Sequence, residues 1–237
     1  MSRPEAPTPR ELAVQALSSV ERGYDLLAPK FDRTPYRTPD RVLDAVASAL
    51  APLGPFDAGL DLCCGTGAGL DVLTRLCQGS VTGVDFSAGM LARARRAAGP
   101  AVSLVRADAR ALPFTAAFDL VVSFGAFGHF LPRELPGLFA GVYTVLRPGG
   151  RFAFPLAAPP RPGSRAYWAL LGFDAAMRVR NALWWPPFVM YYRTFRLAAV
   201  RRALAGAGFA VELSPLPEFG RRPDGAPRAR LVTARRP

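Results

Sequence analysis

The sequence predicts an α/β fold built on a doubly wound, mostly parallel sheet, and three observations carry that prediction. Between residues 58 and 156, strand-like apolar runs alternate with helical patterns, as a parallel sheet covered on both faces requires. Phe118-Asp119-Leu120-Val121-Val122-Ser123 is nearly continuous and apolar, the signature of a strand buried on both sides. Finally, Gly59-Leu60-Asp61-Leu62 runs straight into the small-residue turn Cys63-Cys64-Gly65-Thr66-Gly67-Ala68-Gly69, where glycines allow a tight turn and a close ligand.

The elements follow in order. Residues 9–28 read as an amphipathic helix, with Leu12, Leu17 and Val20 near helical spacing and Glu11, Glu21 and Arg22 between them. A Pro-punctuated connector spans 31–36, and a second helix covers about 39–50, ending before Pro52 and Gly54. Strand 58–63 then leads to helix 68–78, and strand 80–85 to helix 87–98, which Ser87 is placed to cap. Strand 101–106, a loop through Pro113, strand 118–123 and helix 133–146 come next. Arg147-Pro148-Gly149-Gly150 stops that helix, and 151–156 is the fifth strand. The alternation breaks over 157–194, which holds five prolines and all three tryptophans and reads as an inserted aromatic, basic cap. Helix 195–207, Gly208, strand 209–213, a Pro- and Gly-rich loop and strand 228–234 suit a closing antiparallel hairpin. All 237 residues form one domain, with 1–55 as an N-terminal helical segment.

Composition narrows the class. Half the residues are hydrophobic and a fifth charged, as in a folded globular protein. Cys63, Cys64 and Cys77 show no pairing pattern, and with one histidine in the chain no metal site is expected, so a reduced, cytoplasmic setting fits. The first ten residues carry three prolines and no apolar run, which predicts no signal peptide. The net charge of +12 is concentrated: residues 156–202 carry +7 and 214–237 carry +4. Such a basic third suits either a solvated surface or an anionic partner, including peripheral contact with an anionic membrane. Aromatics interleaved with basic residues, as in a dedicated RNA-binding module, are missing, so nucleic acid is an unfavoured partner. Oligomeric state has no signal in the sequence.

Three acids end three neighbouring strands: Asp61, Asp85 and Asp108. In an open parallel sheet ligands bind beyond the carboxyl ends of the strands, and an acid after the second strand is placed to bond both ribose hydroxyls. A dinucleotide site needs Gly-x-Gly-x-x-Gly, whereas this turn reads Gly65-x-Gly67-x-Gly69, with Leu70 at the third dinucleotide position. A carboxylate at Asp61 would repel a pyrophosphate and attract an ammonium or sulfonium. The pattern therefore favours a nucleoside with an amino-acid tail. His129, following the fourth strand in Phe127-Gly128-His129-Phe130, is a candidate general base, since a neutral imidazole can take a proton from a hydroxyl or phenol. Packing is its alternative role.

Taken together, Leu60–Gly67, Gly83-Val84-Asp85-Phe86-Ser87, Met90-Leu91, Ala107-Asp108-Ala109 with Leu112-Pro113-Phe114, Phe118–Val121 and Leu146–Gly150 resemble the class I S-adenosylmethionine-dependent methyltransferases. The likeness is to the small-molecule, ubiquinone/menaquinone-biosynthesis type; it covers about residues 58–155 in the family's order, and Tyr24-Asp25 and Ala28-x-x-Phe31-Asp32 echo the family's approach segment. The resemblance implies a Rossmann-like seven-stranded sheet in the order 3-2-1-4-5-7-6 with strand 7 antiparallel. It implies S-adenosylmethionine as cofactor, with Asp61 and the Gly65–Gly67 turn on the methionyl portion and Asp85 on the ribose. Phe86 and Met90 would flank the adenine, Asp108 and the Ala109 amide would meet its edge, and Ser123 would close the pocket. Cys63 stands where the family often has glycine.

The implied activity is in-line methyl transfer to oxygen, carbon or nitrogen of a small hydrophobic or anionic acceptor, such as a quinone precursor, a natural product or a lipid head group. Tyr24, Tyr36, Trp184, Trp185 and Tyr191 are candidates to face it. The Asn/Asp-Pro-Pro-Tyr/Phe run of base-amino methyltransferases is absent after the fourth strand, which reads Ser123-Phe124-Gly125-Ala126. The alternative is a non-catalytic, cofactor-retaining protein whose cap meets an anionic membrane.

Overall fold

The computed structural model describes residues 7–191 and 196–237. Tyr192, Arg193 and the first residue of the helix expected at 195–207 lie outside the described residues, as do positions 1–6.

A seven-stranded sheet forms the centre of the molecule: β1 (Phe56–Leu62), β2 (Cys77–Asp85), β3 (Val102–Arg106), β4 (Phe118–Val122), β5 (Leu146–Ala157), β6 (Ala210–Pro215) and β7 (Ala229–Arg235). Their order is β3-β2-β1-β4-β5-β7-β6. β1 to β5 pair in parallel, and β7 runs antiparallel to both β5 and β6. The order and the reversed seventh strand are those expected.

Alternate residues of the central strands face opposite sides. Val121, Phe152 and Phe154 join one apolar cluster with Phe139 and Val142, while Leu120, Val122 and Ala153 join another with Leu50, Leu70 and Leu73. The first cluster is covered by α6 (Leu135–Val145) and α8 (Leu197–Gly206), the second by α3 (Asp40–Leu50), α4 (Ala68–Leu76) and α5 (Ala88–Ala97). Each fully buried Leu or Phe stabilises the fold by about 1.5–3 kcal/mol. Ser87 caps α5 as expected, its side chain accepting from the Met90 N–H at 3.1 Å.

Three differences from the sequence reading have local causes. The helix expected over 9–28 is two helices, α1 (Pro9–Leu17) and α2 (Val20–Leu27), followed by a 3₁₀ turn over Ala28–Arg33. Ser18 turns its hydroxyl back to the Val14 carbonyl, and Ser19 caps the second helix through the Arg22 N–H. β5 starts at Leu146 rather than 151, because Gly149 and Gly150 exchange backbone bonds with Arg236 and extend the ladder around a bulge. Within the cap lies a 19-residue helix, α7 (Arg165–Leu183), after which residues 184–191 return to it where the Asn181 side chain bonds the Phe188 backbone.

α2, α7 and that returning segment pack on one another. Met177, Phe188 and Met190 form a satellite cluster with Val20, Tyr36 and Tyr191. Gly23 is needed at this contact, since a Cβ there would sit 2.7 Å from the Phe188 ring. The N-terminal helices and the cap thus meet across the carboxyl ends of the strands.

Candidate active site

The turn after β1 crosses three left-handed positions, Cys63 (φ 59°), Gly65 (φ 54°) and Gly67 (φ 99°). Only glycine takes such angles without strain, so Cys63 holds a conformation its Cβ disfavours. A Cβ on Gly65 would meet nothing within 4 Å, so the turn presents bare backbone to open space. Gly69 differs: its Cβ would lie 2.5 Å from the Asp61 Oδ2, and the carboxylate therefore sits directly under the start of α4.

Asp61 is 1% exposed and its Oδ2 has no hydrogen-bond partner. Burial pushes its pKa well above the usual carboxylate range, and the neighbouring Asp85 adds to the rise. A buried, unpaired carboxylate oxygen is costly unless a donor or cation meets it. Asp85 is better satisfied: Oδ2 accepts from the Gly65 N–H and Oδ1 from the Ser87 N–H, both at 2.9 Å. Burial raises its pKa, and these amide bonds oppose the rise. Each oxygen keeps a further lone pair for a ligand hydroxyl.

Gly65, Asp85, Phe86, Met90, Asp108 and Ala109 line one cavity of about 430 Å³, together with Cys63 and Phe124. Asp108 pairs with Arg110 at 3.2 Å at its rim. Gly67 caps α4 rather than facing the cavity, and Asp61 lies behind the wall. Ser123, expected to close the pocket, is buried with its hydroxyl donating to the Leu62 carbonyl at 2.9 Å. It ties β4 to β1, and the following Phe124 takes the place in the wall. Cys63 and Cys64 are thiols, their pKa values pushed up by burial.

A second cavity, about 610 Å³, adjoins the first. Tyr24, Tyr36, Gly125 and His129 line both. Tyr191 also faces the second, which is otherwise mostly apolar, carries Arg37 and Arg228, and has no acid in its lining. Trp184 and Trp185 face neither cavity, a correction to their expected role. Asn181 bonds both backbone polar groups of Phe188, turning Phe188 inward and leaving the tryptophans 54% and 84% exposed.

His129 does not project freely. Its Nε2 lies 2.7 Å from the Tyr24 hydroxyl and its Nδ1 2.8 Å from the Val189 carbonyl. Burial lowers the imidazole pKa and, with Asp85 nearby, raises that of the Tyr24 phenol. Both groups are therefore neutral near pH 7.

Two acids of the approach segment, Asp25 and Asp32, to which the sequence assigns no individual role, hold the N-terminal segment in place. Asp25 accepts from the Ser87 hydroxyl at 2.6 Å and from the Gly89 N–H at 2.8 Å, and Asp32 accepts from the Thr66 hydroxyl at 2.6 Å. Their partners are in the two motifs that shape the first cavity. Among the described residues no cluster of His, Cys, Asp and Glu could hold a metal ion, and no helix is long and apolar enough to cross a membrane.

A family model described as a methyltransferase domain matches residues 60–150. An uncharacterized methyltransferase of Synechocystis sp. is 33% identical over 133 residues, covering 56% of this chain and 61% of the relative. A demethylmenaquinone methyltransferase of Thermus thermophilus is 43% identical over 108 residues, covering 44% and 48%. The chain thus spans about half to three-fifths of the length of these relatives. Among solved structures, an S-adenosylmethionine-dependent methyltransferase from Mesorhizobium loti superposes with a TM-score of 0.56 at 26% identity, covering 82% of this chain and all of that one.

Proposed function

We propose that the chain, whose residues 60–150 match a methyltransferase domain, is a class I S-adenosylmethionine-dependent methyltransferase of the quinone-biosynthesis-like group and methylates a small, largely apolar acceptor held in the second cavity. The observation that supports this reading is the shared wall. A cavity ringed by the three motifs adjoins an apolar one, and Tyr24, Tyr36, Gly125 and His129 line both. A methyl donor and an acceptor need such adjacency, because in-line displacement depends chiefly on alignment.

The residues fit the cofactor. From behind the wall, the orphaned Asp61 carboxylate supplies a negative charge that favours a cationic amino-acid tail, and the bare Gly65 backbone allows close approach of the ligand. Asp85 has lone pairs for ribose hydroxyls, and Phe86 and Met90 offer apolar surface to a purine. When bound, S-adenosylmethionine supplies an electrophilic methyl group. Around it, Asp85 orients, and the Asp25 and Asp32 ties keep the N-terminal segment over the site. Arg228 favours an acceptor with anionic character, while the Arg37 charge is shared with Asp40 at 2.8 Å. Incubation with methyl-labelled S-adenosylmethionine and a panel of quinols, phenols and apolar amines tests the proposal. Transfer to one class supports it; cofactor binding without transfer to any of them contradicts it.

A second reading, a cofactor-retaining protein working at an anionic membrane without turnover, has one observation in its favour. Trp168, Gly172, Ala175, Ala176, Val179 and Leu183 form an exposed stripe along α7, continued by Trp184 and Trp185. Arg165 and Arg178 are exposed on the same helix, and its one acid, Asp174, is buried. Aromatic and cationic side chains on an apolar face suit the interface of an anionic bilayer.

A further inference from the structure

We infer that Tyr24 and His129 act as a proton-relay pair, with Tyr24 touching the acceptor, and that the acceptor is therefore a hydroxylated aromatic or an enol rather than an amine. The inference rests on the function proposed above and names the substrate class of that site.

The hydrogen-bond pattern assigns the protons. The Val189 carbonyl can only accept, so His129 Nδ1 carries a hydrogen and donates it at 2.8 Å. Nε2 then holds a lone pair, and the Tyr24 hydroxyl donates to it at 2.7 Å. The rings meet edge to face, with centroids 5.1 Å apart and planes at 87°. With both imidazole nitrogens engaged, His129 has no free lone pair for an acceptor. Tyr24 lines both cavities, and its Oη keeps its own lone pairs while donating to Nε2.

The proton step follows from that arrangement. The acceptor O–H bond breaks and its proton passes to Tyr24 Oη while the Tyr24 proton passes to His129 Nε2. The electron pair stays on the acceptor and forms the bond to the methyl carbon, and the pair of the broken carbon–sulfur bond leaves with sulfur. The imidazolium then releases its proton to solvent when product departs.

The surroundings set the starting state. Burial disfavours imidazolium, as does the charge of Arg110 from the loop after β3, and the Asp85 carboxylate opposes ionisation of Tyr24. The resting pair is thus neutral phenol on neutral imidazole. The second cavity has Arg228 and no acid in its lining, its Arg37 being paired with Asp40 at 2.8 Å, and so favours an oxygen that becomes anionic and disfavours an ammonium.

His129 is the chain's one histidine, so ¹⁵N NMR of protein labelled at histidine reports this ring alone. Wild type, free of cofactor, should show the Nδ1–H tautomer with a hydrogen-bonded Nε2. Tyr24→Phe should keep that tautomer and lose the Nε2 bond. In turnover, Tyr24→Phe and His129→Gln should each lower kcat by about 10²-fold for a phenol that is un-ionised at the assay pH. The loss should largely vanish for a nitrophenol that is already ionised, and calorimetry should show both variants still binding S-adenosylhomocysteine. An Nε2–H tautomer, equal losses with both phenols, or a wild type that methylates an amine but neither phenol overturns the relay. Failure of wild type to bind S-adenosylhomocysteine would strike the function it rests on, and shows separately in the same calorimetry.

Discussion

Asp85 accepts a hydrogen bond from the Gly65 N–H at 2.9 Å, joining the carboxyl end of β2 to the glycine turn that follows β1. The same carboxylate holds Ser87 at the start of α5, so one side chain sets the geometry of two cofactor motifs. Asp85→Ala should therefore weaken S-adenosylhomocysteine binding by about 1–3 kcal/mol, the usual cost of leaving buried polar partners unpaired. Calorimetry measures it, and unchanged affinity would remove Asp85 from the site.

Asp61 should make the stability of the ligand-free protein fall as pH rises. Its folded pKa lies above the unfolded value of about 3.9, so the native state binds more protons in that window. Stability is lost as pH climbs from the unfolded pKa toward the raised folded one. Asp61→Asn should flatten that part of the profile, stabilise the ligand-free chain near pH 7 and weaken cofactor binding. Denaturant midpoints from pH 3.5 to 8 for both proteins test this, and parallel profiles would contradict it.

The left-handed turn gives a paired prediction. Gly65→Ala forces a Cβ onto φ 54° and should cost about 1–2 kcal/mol of stability, besides filling space meant for ligand. Cys63→Gly relieves the same kind of strain at φ 59° and should be neutral or stabilising by up to about 1 kcal/mol, because glycine's larger unfolded-state entropy offsets part of the gain. Urea unfolding of both variants checks the two signs.

Asp25→Ala together with Asp32→Ala should release the N-terminal segment from Ser87, Gly89 and Thr66. Affinity for S-adenosylhomocysteine should drop about tenfold or more, as for the loss of hydrogen bonds to charged groups. Limited proteolysis should open sites within residues 20–36 while the sheet survives. Wild-type cleavage kinetics would show that these ties do not hold the segment.

The membrane reading is checked by co-sedimentation with phosphatidylglycerol and phosphatidylcholine vesicles. Salt-sensitive binding to the first alone, weakened in Trp184→Ala/Trp185→Ala, supports it. No binding to either removes it.

Much of this architecture was legible because each signal is local. The apolar strands, the glycine turn and the strand-end acids sit within a few residues of one another, and all seven strands fall close to their expected positions. What was hidden depends on distant partners. Nothing near Asp25 in the chain points to Ser87, which is 62 residues away, and His129 gives no sign that Tyr24 and Val189 will engage both its nitrogens. The family resemblance places Ser123 at the pocket, and residue type places Trp184 and Trp185 there. Which way they face is decided by the Leu62 carbonyl and by the Asn181–Phe188 contact.

The most direct test of the central claim is calorimetric titration of the purified chain with S-adenosylhomocysteine, with NAD as control. The site geometry predicts saturable one-to-one binding of S-adenosylhomocysteine and none of NAD. Binding of NAD, or of neither, would contradict the assignment of the first cavity to the cofactor.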